Sequence, residues 1–341
     1  MAAPVNIRST TPGAFAIGVG AEPSPGYRLR RLRGRGGFAE VWEAESPHGP
    51  PVALKFMPSS NMSSTARELR SVQSFQKLDH PYIVKTYDMW SVPGYIVITM
   101  ELAEGTLLDL LQLYHEDLGQ PVDSAVLCLY LWQVAEALDF LNARHHLREG
   151  RKVGFQHGDV KPNNILLFGD IAKLTDHGMA TPTYGPSTPC SRQGTREYAA
   201  PEVFMGTLTD WSDQFSLAVT YYAMRTGQLP FPPQPKTPSR SRNHPLADLS
   251  GVTEAERPIL SRALCPIPQD RFPSCREFMA GILRALGLKV VAQEGREPWR
   301  VQIVKDAVAK SASQVYRPPL LPRVQPPSGS IARPYRSLPG E

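Results

Sequence analysis

Short runs of β-type residues fill the first hundred positions of the chain, and long apolar helical stretches follow from about Leu107. Residues 27–57 predict a strand, a glycine-rich turn, a second strand, a hairpin turn and a third strand. Residues 91–102 predict a further hairpin. Between them, residues 63–78 place apolar side chains every three residues along one stripe, which predicts a helix.

The later part of the chain is dominated by four predicted helices, over residues 122–144, 210–227, 253–265 and 275–286. Asp123 or Ser124 is a suitable N-cap for the first of these helices, and Gly227 is a suitable end for the second. A small β-rich part with one helix, followed by a larger helical part, indicates an α+β fold.

The two ends of the chain lack a clear periodic pattern. Residues 1–26 are rich in Pro, Gly, Ser and Thr, so we expect a flexible N-terminal segment. Residues 287–341 read as a basic tail, rich in Pro and Arg from Val315, which we expect to be largely disordered. From Gly295 onward this tail holds eight basic residues against three acidic ones, an excess equal to the net charge of +5 of the whole chain.

Composition narrows the class of protein. The 341 residues are 41% hydrophobic and 20% charged, as in a soluble globular protein, and no run of about 18 apolar residues predicts a transmembrane helix. The four cysteines are scattered, which argues against a zinc site or a disulfide framework. We therefore expect a cytoplasmic protein. The basic tail has no motif for reading nucleic acid, so neither a specific nucleic acid nor a membrane is expected as a partner.

A glycine-rich turn is the first motif that suggests chemistry. Gly34, Gly36 and Gly37, followed by Phe38 and Val41, stand between two predicted strands. Glycines let backbone N–H groups approach phosphate oxygens closely, so such a turn can fold over a nucleotide. On this motif alone, a tight turn without a ligand is the favoured interpretation, because glycine-rich hairpins are common.

A lysine at the end of an apolar strand is the second motif. Lys55 follows Val52, Ala53 and Leu54, where an unpaired charge would be costly, and Glu68 on the next predicted helix is the obvious partner. A Lys–Glu pair of this kind holds the ammonium group toward the α- and β-phosphates of a nucleotide.

The strongest motif is HGDVKPNN at residues 157–164, followed by an apolar strand and then by Asp176. Phosphoryl transfer needs one carboxylate that orients an incoming hydroxyl and accepts its proton, and Asp159 suits this role. Lys161 can neutralise charge on the transferred group. Asn164 and Asp176 supply the amide and carboxylate oxygens that hold Mg²⁺.

Together these motifs resemble the eukaryotic-type (Hanks) protein kinases, also found in bacteria, over about residues 27–286. Gly194–Glu202 is similar to the family's substrate-docking segment with its closing Ala-Pro-Glu. Asp213 is similar to the buried aspartate that braces the catalytic loop, and Arg271 to the arginine that pairs with that glutamate, here Glu202.

The resemblance implies a two-lobed protein kinase fold that uses ATP and Mg²⁺ to phosphorylate protein substrates. It implies an N-lobe over 27–100, a hinge over 101–104 and a C-lobe over 105–286. It also implies an adenine site built from hinge residues, with Met100 as gatekeeper, and from apolar residues above and below the base: Met100, Glu101, Ala103, Val41, Ala53 and Leu166.

Three features depart from the family pattern. Gly158 stands where an arginine usually precedes the catalytic aspartate, which suggests that phosphorylation of the activation segment is not required. His177 replaces the usual Phe of Asp-Phe-Gly, so its packing on His157 should be looser. Residues 143–156 look like an insertion, which either shapes substrate access or is plain surface.

The acceptor type follows from two positions. Lys161 and the Gly194–Thr195 pair are similar to those of serine/threonine kinases, whereas tyrosine kinases of the family tend to differ at both places. Two alternatives remain open at this stage. One is a small-molecule phosphotransferase of the aminoglycoside or choline kinase type, and the other is a pseudokinase that acts as a binding scaffold.

Overall fold

The structure is a computed structural model that describes residues 13–36, 39–59, 78–148, 150–190, 194–232, 245–293, 297 and 300–306. These residues divide into two compact units. The first contains the described residues of 13–79 and 84–103, and the second contains those of 80–83 and 104–306. The predicted helix over residues 63–78 lies almost wholly outside the described residues.

The first unit contains an antiparallel sheet whose five described strands have the order β1-β2-β3-β5-β4. The predicted strands and hairpins of residues 27–57 and 91–102 are thereby confirmed. The strands are β1 (Leu29–Arg35), β2 (Glu40–Ser46), β3 (Gly49–Pro58), β4 (Thr86–Val92) and β5 (Tyr95–Glu101).

The N-terminal segment covers one face of this sheet, so the expectation that residues 1–26 are flexible is wrong for residues 13–26. Val52, Leu54 and Phe56 alternate along β3 and contribute to an apolar cluster on that face. Phe15 packs on the cluster, with its ring stacked 6.2 Å from that of Phe56. The segment is also tied down by Trp90, whose Nε1 donates to the Pro23 carbonyl at 3.3 Å. Burial of apolar surface outweighs the loss of chain entropy.

All the helices of the described residues lie in the second unit. Within the described residues they are α1 (Leu107–Gln112), α2 (Ser124–Asn142), α3 (Pro201–Phe204), α4 (Ser212–Thr226), α5 (Arg257–Ala263) and α6 (Cys275–Ala285). A turn of π-helix, Leu113–Asp117, follows α1 directly. The predicted helix over 253–265 is shorter than expected, because the Glu256 side chain accepts from the Thr253 amide and holds a turn before Arg257.

Capping residues explain where the two central helices begin and end. Asp123 is the N-cap of α2, and its Oδ1 accepts from the amides of Ala125 and Val126 at 2.8 and 3.1 Å. Gly227 ends α4 with φ of +71°, a conformation that favours glycine. By length and composition α2 could cross a membrane, but most of it is buried inside this unit, as in a core helix.

Short strands connect the helices of the second unit and position the polar residues. They are β6 (Gly105–Thr106), β7 (His146–Arg148), β8 (Arg151–Gln156), β9 (Ile165–Phe168), β10 (Ile171–Leu174), β11 (Thr181–Thr183), β12 (Ser187–Pro189) and β13 (Thr207–Thr209). The apparent insertion at 143–156 therefore forms a hairpin, β7–β8, which also pairs with β11.

Residues 80–83 belong to the second unit, although the sequence assigned them to the N-lobe. The reason is a set of backbone contacts: Ile83 forms a parallel bridge with Leu174, and the Leu174 amide donates to the Tyr82 carbonyl at 2.9 Å. These contacts attach the segment to β10.

The tail begins with ordered structure, which corrects the expectation for 287–341. Strands β14 (Leu288–Ala292) and β15 (Val301–Lys305) form a hairpin that packs on α2. Ile303 is buried, and Arg300 pairs with Asp170 at 3.1 Å in the β9–β10 turn. A small apolar core and an ion pair hold this segment in place. Neither kind of contact produces a strong periodic pattern in the sequence. Residues 307–341 lie outside the described residues.

Candidate catalytic site

Asp159 is held by donors from three directions in the second unit. Its Oδ1 accepts from the amide and the hydroxyl of Thr195, at 2.8 and 2.7 Å. Its Oδ2 accepts from the Asn164 side-chain amide at 2.9 Å and lies 3.2 Å from the Lys161 ammonium. The Asp159 side chain keeps only 12% of its surface exposed. These contacts fix the orientation of a carboxylate that is close to the surface, as a proton acceptor requires.

Asn164 ends the short 3₁₀ turn Pro162–Asn164 next to this carboxylate. Its Nδ2 donates both to the Asp159 carbonyl, at 2.8 Å, and to Asp159 Oδ2. The amide nitrogen therefore faces Asp159, and no described residue donates to Oδ1. An amide oxygen in this state suits a hard cation such as Mg²⁺.

Asp176 follows β10 and sits beside the same loop. The preceding residue, Thr175, donates its amide to the Asn164 carbonyl at 3.0 Å and accepts from His157 Nε2 at 2.9 Å. Asp176 has φ of +61°, the only positive φ among the described non-glycine residues. Backbone strain of this kind persists only where surrounding contacts impose it, and it often marks a functional position.

Asp213 braces the catalytic loop from the first turn of α4, as the resemblance implies. Its two carboxylate oxygens accept from the amides of His157, at 2.6 Å, and Gly158, at 2.9 Å. Burial raises the pKa of Asp213, and the charge of Asp159 adds to the rise, while His157 and the two amides oppose it. A buried carboxylate satisfied by backbone amides positions a loop without needing an ion-pair partner.

The contact between Gly158 and Gly194 explains why two glycines occur here. Both adopt positive φ, +78° and +86°. A Cβ on Gly194 would lie 2.3 Å from the Gly158 carbonyl oxygen. This close approach brings Thr195 onto Asp159 and Lys161, whose Nζ donates to the Thr195 hydroxyl. Thr195 is a site residue that the sequence pattern did not predict, although it follows a glycine in the docking segment.

A buried ion pair anchors the end of the docking segment. Arg271 donates through Nη1 and Nη2 to the two carboxylate oxygens of Glu202, each at 2.8 Å, as the resemblance implies. Ser212 and Thr209 also donate to Glu202, and Arg271 donates to carbonyls of the Cys265–Pro266 segment and of Trp211. Complete hydrogen bonding makes a buried ion pair tolerable.

The predicted nucleotide residues of the first unit share one face of its sheet. Cross-strand pairing joins Val41 to Lys55 and Ala53 to Met100, and residues that face each other across a ladder point to the same side. This face is opposite to the one covered by residues 13–26. Glu101 ends β5, and Ala103 follows it.

The other residues predicted to bind the nucleotide lie on β1, on β9 or outside the described residues. Gly34 and Gly36 flank the end of β1, with Gly34 opposite Val41. Leu166 is on β9 in the second unit, opposite Lys173. Three predicted residues lie outside the described residues: Gly37, Phe38 and Glu68.

The chain matches the model of the protein kinase domain over residues 27–286, which is more than half of its length. It belongs to the protein kinase family. It is 30% identical over 319 residues to the serine/threonine-protein kinase PknH of Mycobacterium bovis, a match that covers 88% of this chain and 50% of that protein. It is also 30% identical over 280 residues to the serine/threonine-protein kinase PknF of Mycobacterium tuberculosis, a match that covers 77% of this chain and 56% of that protein. The chain thus spans about half the length of the curated relatives it matches.

Membership of the kinase family confirms the predicted Hanks-type resemblance and the α+β fold, with its β-sheet part first and its helical part second. His177 departs from the kinase pattern at the position where Phe is usual. The His177 ring packs edge-to-face on that of His157, with centroids 5.3 Å apart and planes at 81°. His177 therefore keeps an aromatic contact at the position where Phe is usual.

Among the described residues, no group of three or more His, Cys, Asp or Glu forms a metal-binding cluster. This is compatible with Mg²⁺ in a kinase, because Mg²⁺ keeps several waters and is held by one or two protein oxygens together with substrate phosphates. Asp176 and Asn164 provide oxygens of the right kind on adjacent backbone segments.

Proposed function

We propose that this protein transfers the γ-phosphoryl group of Mg²⁺–ATP to serine and threonine hydroxyls of protein substrates. The observation that carries the proposal is the arrangement around Asp159, whose carboxylate is oriented by Thr195, Asn164 and Lys161. A pseudokinase scaffold would have no need to keep a carboxylate, an ammonium group and an amide in mutual contact near the surface.

The second unit supplies the catalytic groups in this proposal. Asp159 orients the acceptor hydroxyl and accepts its proton, and Lys161 lies close enough to neutralise charge on the transferred group. Asn164 and Asp176 would hold Mg²⁺, which neutralises phosphate charge when it is bound.

The first unit supplies the nucleotide-binding groups. The face that carries Val41, Ala53 and Met100 would contact the adenine, with Glu101 and Ala103 as hinge residues. Lys55 lies two residues from Ala53 on the same face and would contact the α- and β-phosphates. The Gly-rich turn after β1 would cover the phosphates, and Glu68 would pair with Lys55.

The acceptor class rests on Thr195 and on the relatives. Thr195 bonds both Asp159 and Lys161, so it ties the docking segment to the groups that would receive a hydroxyl. The relatives that match this chain are named serine/threonine-protein kinases. Because the chain spans about half of their length, its substrates and partners are part of the proposal. We also propose a cytoplasmic location.

Two measurements separate this function from its alternatives. Calorimetry with Mg²⁺–ATP should show binding, which a pseudokinase that has lost the nucleotide would not. Labelled ATP should then transfer phosphate to a generic acceptor such as casein and not to an aminoglycoside. Transfer to the aminoglycoside instead of the protein would support a small-molecule phosphotransferase and contradict the proposal.

A further inference from the structure

Arg33 connects the Gly-rich turn to the hinge segment within the first unit. It is near the end of β1, next to Gly34, and its Nη2 donates to the Ala103 carbonyl at 2.9 Å across 70 residues of sequence. Its Nη1 lies 3.5 Å from Glu43 Oε2. The side chain is largely buried, with 23% of its surface exposed.

The Arg33 guanidinium lies on the face that carries the proposed nucleotide residues, because its partner Glu43 is on that face. Glu43 is opposite Ala53 in the β2–β3 ladder and two residues from Val41, so all three side chains share this face. Arg33 therefore lies on the same side of the sheet as the proposed adenine contacts.

We propose that Arg33 is a positioning residue for the nucleotide, which fixes the Gly-rich turn relative to the hinge so that both contact one ATP molecule. The inference rests on the proposed function. A guanidinium is planar, permanently charged and carries five donors, so it can bond a carbonyl and a carboxylate at once. Without this connection the turn and the hinge move separately. Ordering them on ATP binding then costs free energy, so the affinity for ATP falls.

Arg31 provides a matched control. It is on the same strand and pairs with the same Glu43 carboxylate at 2.9 Å, with 40% of its side chain exposed. Arg31→Leu removes a positive charge and an ion pair with Glu43, as Arg33→Leu does. Of the two arginines, Arg33 is the one whose guanidinium donates to the Ala103 carbonyl, so the comparison tests that contact against loss of charge on the same strand.

The test compares wild type, Arg33→Leu, Arg33→Lys and Arg31→Leu. The readouts are the Kd for Mg²⁺–ATP from calorimetry without acceptor, and KM for ATP and kcat with a protein acceptor. Because a hydrogen bond from a charged group is lost, Arg33→Leu should weaken ATP binding about tenfold, with kcat within about twofold of wild type. Arg33→Lys keeps one charged donor and should recover part of the affinity. Arg31→Leu should bind ATP within about twofold of wild type.

Equal Kd values for Arg33→Leu and Arg31→Leu would overturn the inference, as would a fall in kcat with no change in ATP affinity. If circular dichroism shows that Arg33→Leu does not fold, the Arg33→Lys variant decides. An Mg²⁺–ATP affinity of Arg33→Lys equal to that of wild type would then contradict the role of the guanidinium. Failure of wild type itself to bind Mg²⁺–ATP would instead contradict the proposed function, so the two failures are distinguishable.

Discussion

A Cβ atom on Gly194 would lie 2.3 Å from the carbonyl oxygen of Gly158. The two backbones approach each other more closely than any side chain permits, and this approach carries Thr195 onto the Asp159 carboxylate. The catalytic loop and the docking segment are thus joined through a contact that only glycine allows.

Gly194→Ala should therefore damage both stability and activity. Positive φ and a clash with backbone should cost about 1–3 kcal/mol of unfolding free energy. Displacing Thr195 and Asp159 by about 1 Å should lower kcat/KM on the order of 100-fold. Gly150→Ala is the control, because Gly150 also has positive φ (+75°) but open space at its Cβ. Equal activity in the two variants would show that the Gly194–Gly158 contact has no catalytic importance.

The buried pair Glu202–Arg271 should dominate the stability of the second unit. Glu202→Gln leaves Arg271 without its carboxylate, and breaking a buried pair typically costs about 3–5 kcal/mol. Chemical denaturation measures this loss. The exposed pair Arg30–Glu45 serves as the control, since Glu45→Gln should change stability by less than about 1 kcal/mol. If Glu202→Gln lowers the free energy of unfolding by less than about 1 kcal/mol, the Glu202–Arg271 ion pair does not determine stability.

His146 should make stability depend on pH. Burial lowers its pKa, and the neighbouring His145 charge lowers it further, against the bond to the Phe140 carbonyl. The folded protein therefore prefers neutral His146. Its contribution to stability is present above the unfolded pKa of about 6.5 and is lost as pH falls toward the lower folded value.

Thermal melting at several pH values between about 5.5 and 8 tests this prediction. His146→Phe keeps an aromatic ring, so its Tm relative to wild type should rise as the pH falls below about 6.5. The exposed His48→Gln variant should track wild type throughout. A Tm difference between His146→Phe and wild type that stays constant at all pH values would contradict a lowered pKa of His146.

Activity should not depend on phosphorylation of the activation segment. Gly158 replaces the arginine that would bind such a phosphate, and β12 is already held in a ladder with β13. Thr183 is buried, with 1% of its surface exposed, whereas Thr188 on β12 is partly exposed and can be tested directly. Phosphatase-treated protein and Thr188→Val should retain activity within about twofold, since valine preserves β-structure. A tenfold or greater loss on phosphatase treatment would show that a phosphate is needed.

The sequence was informative where a buried charge demands a partner. Asp213 inside an apolar helix and Arg271 near the domain end each predict a specific contact, because the cost of an unpaired buried charge is large. The structure supplies both contacts. Asp123 likewise predicts the start of α2, since capping is a local property of a few residues.

Contacts between distant segments could not be predicted in this way. Phe15 and Ile303 belong to segments without strong periodicity, and each is ordered by a surface formed elsewhere in the chain. The bond from Thr195 to Asp159 depends on the path of the backbone at Gly158 and Gly194, which no local pattern records. Tertiary packing decided these features.

Phosphosite mapping by mass spectrometry tests most directly whether Asp159 catalyses phosphoryl transfer. A protein acceptor is incubated with Mg²⁺–ATP and either wild type or Asp159→Asn. Asparagine cannot accept the proton of the incoming hydroxyl but keeps the shape of the side chain. We expect phosphoserine and phosphothreonine with wild type and at least a 100-fold lower yield with Asp159→Asn. Equal phosphorylation by both proteins, or phosphate on neither residue type with wild type, would contradict this expectation.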